Sequence, residues 1–497
     1  MANIIDDTLN LIKAAHAQQG DNISKSITTA NNLVAYDLQA PAKNLYPVQT
    51  PIRNTLPRTG GIGTATNWRT VRNIIGSGFD GMGWVPEGQR SGRMSYLTQS
   101  LSASYKTMGE EDQATYEAIS AGRGFEDIRA RMTMRLLQKL MLKEEAAIIG
   151  GNTSVSLTAP ASPTLSVGAS GGTVVADNYY VWCVALTYEG YRNSSVASGV
   201  ATSQTITGAD GLTYTLSGGS SAASAISLVQ AVTLGQTLRA SVPAINGAVA
   251  YAWYVSKTNN TPGTAYLQSI TTINSVEFTA PVVTTGTQLV TAVTGNNSTN
   301  TLAFDGLLYQ AFNPTSGAYI QSQATGTAGT GTPLTASGRG SIDEIDDMLV
   351  TMWNNNQLSP TVIYCNAQEI KNISNKVLSG GTNAPLVRYN LNNEQSMAIG
   401  ASPFIDTYFN PITKQPLKVE VHPNVPPGTI LAWADNLPAQ YQSSEVPNVA
   451  EIRARQDYYQ IDWPVTSRQQ QVGVYAEEVL VVYAPFAIGV INNIANG

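Results

Sequence analysis

Charge is scarce in this sequence of 497 residues. Only 12% of them are Asp, Glu, Lys or Arg, about half the usual share of a globular protein. The net charge of −6 excludes a basic protein that coats nucleic acid with its whole surface. Since 42% of the residues are hydrophobic, we expect packed cores. The missing charge must then be replaced by neutral polar surface or by protein interfaces.

Cysteine and histidine are nearly absent. Cys183 and Cys365 stand in separate regions, so we expect no disulfide framework. His16 and His422 are too few for a three-histidine zinc site, and no Cys-x-x-Cys pair, Walker A loop or Gly-x-Ser-x-Gly elbow occurs. We therefore predict no cofactor, no metal and no enzyme active site, and we interpret His422 as a structural residue.

Long hydrophobic runs are also missing. Residues 1–19 lack a basic region followed by an apolar core, so they do not form a secretory signal. The apolar stretch 479–494 is interrupted by Pro485 and Gly489 and is too short to span a membrane. The sequence predicts no membrane contact.

Charged residues are distributed unevenly. Residues 1–152 hold 16 Lys or Arg and 14 Asp or Glu, residues 153–300 hold 3 and 4, and residues 301–497 hold 9 and 16. In the middle segment, aromatic and β-branched runs such as 179–188 and 249–255 alternate with Gly, Ser, Asn and Pro clusters, which is typical of a β-sandwich. This composition predicts an inserted all-β domain over 153–300.

The flanking segments are predicted to mix helices and strands. Apolar residues recur at helical spacing over Glu126–Ile149, before two glycines that end the helix. A second unit begins with the capping-box pair Ser341 and Glu344, continues with a strand at 361–365, and resumes as a helix capped at Asn366. The charged residues near the end of the first helix are interpreted as its solvated face: Lys139, Lys143, Glu144 and Glu145.

Two further patterns could be mistaken for ligand sites. The acidic group around the second helix start is interpreted as favourable charge at a helix N-terminus rather than a metal site; it comprises Asp343, Glu344, Asp346 and Asp347. The Gly- and Thr-rich run Thr325–Gly331 lacks the Lys of a phosphate loop, and we interpret it as a flexible loop.

Arginine is concentrated between residues 53 and 93, where only Asp80 and Glu87 oppose it. Two possible strands, 66–75 and 95–104, flank a Gly-rich turn region and predict a long, projecting two-stranded arm. Such an arm needs a partner surface, and arginine suits charged interfaces. The predicted assembly residues are Arg58, Arg69, Arg72, Arg90 and Arg93. The alternative is an ordinary exposed hairpin.

Taken in order, these segments resemble the tailed-phage major capsid proteins of the Hong Kong 97 fold. Residues 1–52 resemble the N-terminal arm, 53–106 the extended loop, 107–152 the spine helix with the peripheral domain, and 301–497 the rest of that domain with the axial domain. The resemblance is carried by KEEAAIIGGN (143–152), TVIYCNAQEIKNI (361–373), PLKVEVHPNVPPGTILAWAD (416–435) and VLVVYAPFAIGVI (479–491). The middle segment is similar to fibronectin-III or Ig-like modules.

The resemblance implies an α+β capsid fold with an inserted Ig-like sandwich on the outside of the shell. It implies hexamers and pentamers that form an icosahedral head around double-stranded DNA, with the virion and, during assembly, the host cytoplasm as locations. Implied partners are portal and scaffold proteins, a possible decoration protein and, by non-specific contact, the DNA. No lysine lies between Lys43 and Lys106, so cross-linking through the loop is not expected, nor is removal of a long N-terminal segment.

Two other functions stay open at this point. An encapsulin, a bacterial nanocompartment subunit, has the same fold and would enclose a cargo enzyme in place of DNA. A carbohydrate-binding adhesin could use the Ig-like module, although the missing secretory signal and the large α/β flanks oppose that alternative. An enzyme is the least favoured class.

Overall fold

The computed structural model describes residues 45–77, 83–123, 126–257, 259–337, 340–379, 405–438 and 448–495, together with residues 10 and 13. Most of the predicted N-terminal arm therefore lies outside the described residues. The chain divides into two compact units, residues 1–47 with 117–128, and residues 48–116 with 129–497. All the sheets and hydrophobic clusters discussed below belong to the second unit.

The first elements confirm the predicted order, in which the two-stranded arm precedes the long helix. They are α1 (Pro51–Thr55), β1 (Arg58–Gly60), β2 (Ala65–Ile75), β3 (Ser95–Ser104), β4 (Lys106–Thr115), α2 (Tyr116–Ala121) and α3 (Ile128–Gly150). Strands β2 and β3 match the two strands predicted for the arm to within a residue. Helix α3 matches the predicted long helix, except that it begins two residues later, after Glu126 and Asp127.

The middle segment holds two sheets, with strand orders β13-β10-β5 and β12-β11-β6-β9, and a separate β7-β8 hairpin. Its elements are β5 (Thr164–Gly168), β6 (Asp177–Leu186), α4 (Tyr188–Asn193), β7 (Ser203–Thr207), β8 (Thr213–Ser217), β9 (Gln230–Val232), β10 (Thr237–Ser241), β11 (Ala250–Lys257), β12 (Tyr266–Thr271) and β13 (Ser275–Phe278). Among the described residues, these strands pair only with one another. We call residues 153–300 the insert; that it is an Ig-like domain stays a prediction.

The insert has its own core. Alternate residues of β6 point to opposite faces of its sheet. On one face Val181, Cys183 and Ala185 join the cluster between the two sheets. On the other face Trp182, Val184 and Leu186 join a second cluster under the loops. Both clusters exclude water, so the central strands β6 and β11 are buried on both faces.

The open edge of β6 is closed by serines spaced three residues apart. The hydroxyl of Ser224 accepts a hydrogen bond from the backbone N–H of Cys183 at 2.9 Å, and the Ser224 N–H donates to the carbonyl of Cys183 at 2.8 Å. Ser221 and Ser227 repeat this arrangement at Ala185 and Val181. The edge groups of the strand are thereby satisfied without another strand, and the edge is protected from pairing with other chains.

The C-terminal part contains a six-stranded sheet in the order β14-β21-β18-β15-β17-β16 and a four-stranded sheet in the order β1-β19-β20-β4. The elements are α5 (Leu307–Phe312), β14 (Tyr319–Ser322), α6 (Asp343–Asn356), β15 (Val362–Cys365), α7 (Ala367–Ser379), β16 (Thr407–Phe409), β17 (Pro416–Val421), β18 (Ile430–Trp433), β19 (Ala450–Asp462), β20 (Gln469–Val482) and β21 (Ile488–Asn492). The helix–strand–helix order α6-β15-α7 confirms the predicted unit.

The capping box predicted for α6 is wrong. The N-cap position is Ile342, and no side chain caps it. Ser341 instead donates its hydroxyl to the carbonyl of Ser337, and the Glu344 carboxylate accepts from the backbone N–H of Thr335. The Glu344 carboxylate is thus bonded to the chain segment before the helix rather than to the N-cap residue. A local sequence pattern does not predict this partner.

Hydrogen bonds at two sites, among others, fix the insert to the body. At one, the Tyr309 hydroxyl accepts from the backbone N–H of Tyr188 at 2.9 Å and donates to the carbonyl of Gly247. At the other, Asn493, held at a φ of 61°, accepts from the backbone N–H of Asn274 at 2.7 Å. The predicted flexible loop Thr325–Gly331 is an ordered turn that packs on the insert, where the Gly329 N–H donates to the Ser275 hydroxyl.

Candidate functional site: the arm and its base

The arm is the hairpin of β2 and β3, which pair in antiparallel register from Ala65 opposite Ser104 to Ile75 opposite Ser95. Its base packs on the body, where the Trp68 ring meets Tyr483 edge-on at 5.9 Å between ring centroids. A register shift lies between Val71 and Asn73. Because a bulge bends and twists a hairpin, this shift separates the anchored base from the outer part.

The outer part of the arm carries large apolar side chains in contact with solvent. Ile74 and Ile75 are consecutive, as are Tyr96 and Leu97, so each pair presents one side chain to each face of the hairpin. The exposed side chains, with their exposed fractions, are Val71 60%, Ile74 61%, Trp84 90%, Met94 68%, Tyr96 65% and Leu97 56%. Neither face of the outer arm is covered by the rest of the described chain.

The four predicted assembly arginines whose side chains are described separate into two groups. Arg69, Arg90 and Arg93 are exposed on the arm, and no ion pair joins them to any residue that the structure describes. The side chain of Arg72 lies outside the described ones. Arg58 differs from the expectation, because it belongs to β1, in the body of the subunit, and its carboxylate partners are supplied by its own chain.

Arg58 lies at the centre of a largely buried ion cluster at the base of the arm. Its guanidinium contacts Glu144 of α3, Glu478 of β20 at 2.7 Å and Asp457 of β19 at 2.6 Å. Arg53 reaches the same Glu144 at 2.7 Å. Nearby carboxylates hold the pKa of Arg58 above its usual value despite its partial burial. The cluster ties β1 to α3 and to the sheet strands β19 and β20.

The carboxyl of Glu478 has a pKa raised from 4.5 to about 8. Burial is the largest cause, and the negative charge of Glu144 adds to it, whereas Arg58 opposes the shift. At neutral pH this carboxyl is therefore mostly protonated. The base of the arm consequently contains a carboxyl that changes charge near neutrality.

The interpretation of Glu144 and Glu145 as a solvated helix face is wrong, since both are fully buried. Glu145 accepts from the backbone N–H groups of Ile52 and Arg53 at the start of α1, at 3.0 and 2.8 Å. It also contacts Nε2 of His422 at 2.6 Å. Because the Asn424 N–H donates to Nδ1 of that histidine, the ring carries its proton on Nε2 and donates it to Glu145.

The sequence contained a signal for this burial. Leu136, Leu140, Glu144 and Ile148 follow one another at intervals of four residues, so Glu144 continues the apolar stripe of α3. All four side chains are buried. A carboxylate on an apolar stripe requires a buried cation, and Arg58 is that cation.

The remaining candidate residues that the structure describes lie at α6 and at the two cysteines. No group of three or more metal-ligating residues occurs among the described residues. In the acidic group at α6, Asp346 accepts from the Tyr408 hydroxyl at 2.6 Å and Glu344 is buried. Both cysteines are buried and free. Within the described part of the chain, no helix is long and apolar enough to cross a membrane.

No protein-family model matches the sequence, and no curated protein matches it. The capsid of a native GTA particle is similar over 94% of this chain and 97% of its own, at 9% identity and a TM-score of 0.43. The capsid of Myoviridae phage XM1 is similar over 95% and 100%, at 9% identity and 0.41. The SrpI encapsulin of Synechococcus elongatus is similar over 94% and 95%, at 8% identity and 0.39.

Proposed function

We propose that this chain is the major capsid protein of a tailed double-stranded DNA phage. It assembles into hexamers and pentamers that form an icosahedral head, and its role is structural rather than catalytic. The proposal is supported by the α+β body, by the order of arm, spine helix, insert and C-terminal sheets along the chain, and by the sequence resemblance that this order carries.

The single observation that carries the proposal is the outer arm. A lone two-stranded hairpin is at best marginally stable in water, and this one exposes apolar side chains on both faces. Exposed apolar patches of this kind are typical of protein interfaces. Covering both faces requires surfaces outside the subunit, and repeated copies of the same chain supply them in a shell.

Finer parts of the proposal concern partners and location. The insert lies on the outer surface of the shell, because a β-sandwich inside would compete with packed DNA for space. Arg69, Arg90 and Arg93, with Arg72, take part in contacts between subunits. Portal and scaffold proteins join the assembly, which forms in the host cytoplasm and ends in the virion.

The decisive experiment is light scattering and negative-stain microscopy of the purified chain, alone and with its phage partners. Shells, tubes or hexamers are expected. A protein that stays monomeric under all these conditions contradicts the proposal. Nuclease-protected DNA in particles isolated from infected cells would separate a phage head from an encapsulin, which would contain a cargo enzyme.

A further inference from the structure

The four-stranded sheet β1-β19-β20-β4 has one covered face and one open face. On the covered face Met108 joins the main core and Glu110 forms an ion pair with Lys143 of the spine helix. The alternate residues of β4 point the other way, and Glu111 and Gln113 among them are exposed.

Two tyrosines form a flat aromatic platform on the open face. Tyr475 of β20 stacks on Tyr459 of β19, with ring centroids 5.8 Å apart and an interplanar angle of 28°. The Tyr475 ring occupies the space that a Cβ would fill at Gly109, 2.1 Å away, and at Gly473, 2.6 Å away. Glycine at these two positions therefore allows the ring to lie across the sheet.

Negative charge surrounds this platform. Glu111 accepts a hydrogen bond from the Tyr475 hydroxyl. Glu477 forms an ion pair with Arg455 at 2.5 Å. The charge of Asp210, in the exposed turn of the β7-β8 hairpin, also reaches Tyr475 and contributes to its raised pKa. Glu111 and Asp210 have no cation partner among the residues that the structure describes, so the platform keeps uncompensated negative charge.

We propose that this open face receives an arginine from the arm of a second copy of the chain. The guanidinium of Arg69, Arg90 or Arg93 stacks on the Tyr459–Tyr475 platform and pairs with Glu111 and Asp210. A planar cation suits this site because it can stack on an aromatic ring while its edge donates to carboxylates. The inference rests on the proposed assembly function, and it gives the insert, through Asp210, a part in subunit contacts.

Charge complementarity is the reason for choosing a second copy as the occupant. The arm offers exposed cations without described partners, and the open face offers anions without described partners. Every copy of the chain carries one arm and one open face, so each subunit of a ring can both give and receive an arm. The exposed apolar residues beside the arginines would be covered in the same contact.

Cross-linking in assembled particles tests the proposal directly. Glu111→Cys is combined in turn with Arg69→Cys, Arg90→Cys and Arg93→Cys, and particles are treated with a short bismaleimide. Cys183 and Cys365 are buried, so they do not compete. A ladder of oligomers on denaturing gels is expected for at least one pair, and the single-cysteine variants serve as controls.

Charge reversal gives an independent readout. Glu111→Lys with Asp210→Lys should raise the subunit concentration needed for assembly about tenfold, equal to about 1.4 kcal/mol. Reversing the cross-linked arginine to Glu in the same chain should restore assembly. Tyr475→Phe keeps the ring and should assemble nearly normally, whereas Gly473→Ala displaces the ring and should not.

The outcomes separate this inference from the function on which it rests. Particles that form without any ladder, together with normal assembly of the Glu111→Lys and Asp210→Lys variant, would overturn the platform as the receiving surface and leave the capsid function intact. A wild-type chain that never assembles would overturn both.

Discussion

The arm and the insert both adjoin the same α+β body, but they are stabilised differently. The insert surrounds two clusters of buried side chains of its own and closes its strand edge with serines. The arm has no core beyond its base and exposes apolar side chains on both faces. The comparison indicates that the insert has a core of its own, whereas the apolar side chains of the outer arm lack one and, in our proposal, are covered by a neighbouring subunit.

Shortening the arm gives the largest expected effect. Residues 70–99 are replaced by an Asn-Gly turn between Arg69 and Ser100, which are register partners. The subunit should keep its circular dichroism spectrum and its cooperative melt, because the large apolar side chains described in the removed part are exposed rather than packed on the body. Assembly should be abolished in light scattering. Shells of normal yield would show that the outer arm is dispensable and that the comparison with the insert is misplaced.

Isolated fragments test the same contrast. A fragment of residues 155–298 should fold alone, with a β-type circular dichroism spectrum and a cooperative melt, since both of its clusters lie almost wholly within these limits. A fragment of residues 62–104, the arm alone, should be unfolded. An unfolded insert fragment would mean that its contacts with Tyr309 and Asn493 are required for folding.

Most elements of the fold could be predicted from sequence, because periodicity and glycine punctuation are local signals. The arm strands, α3, β15 and the insert strands β6 and β11 were predicted within a few residues, whereas β5, β7, β8, β9 and β10 were not predicted. The errors concern residues whose partners are distant in the sequence. Glu144 forms an ion pair with Arg58. Glu344 accepts a hydrogen bond from the backbone of Thr335, and the Thr325–Gly331 turn donates one to Ser275. The platform of Tyr459 and Tyr475 was likewise invisible, because it depends on the pairing of three strands.

The ion cluster at the base of the arm is the next test in order of effect. Glu144→Ala leaves Arg53 and Arg58 short of a buried partner, and breaking one side of a buried pair typically costs about 3–5 kcal/mol. The variant subunit should be destabilised by roughly this amount in urea. Asp457→Ala removes the exposed partner of the same arginine and is a matched control with a much smaller effect. If the two variants lost the same amount of stability, burial would not determine how much each ion pair of this cluster contributes.

The attachment of the insert to the body should be weaker than its internal core. Tyr309→Phe removes the hydroxyl that accepts from Tyr188 and donates to Gly247. The buried Tyr188 N–H is then left without an acceptor, and the expected loss of stability is about 1–3 kcal/mol. The change should lower the unfolding midpoint of the whole chain. An unchanged midpoint would show that this hydroxyl does not stabilise the attachment of the insert.

The smallest expected effect is a dependence of stability on pH at the base of the arm. The pKa of Glu478 is raised from 4.5 to about 8 in the folded chain, chiefly by burial, so the folded state holds a proton that the unfolded state releases. The resulting stability is fully present below pH 4.5 and is lost as the pH rises through about 8. Glu478→Gln imitates the protonated carboxyl and should remove this loss, with a gain over wild type of about 1–2 kcal/mol at pH 9. Urea unfolding of the unassembled subunit from pH 6 to pH 9 measures this loss of stability.

The insert fragment is the control. The cluster joins the base of the arm to the body and the insert lies outside it, so the stability of the 155–298 fragment should not differ in this way between pH 6 and pH 9. If the two proteins instead lost stability in parallel, the pH dependence would not arise at Glu478.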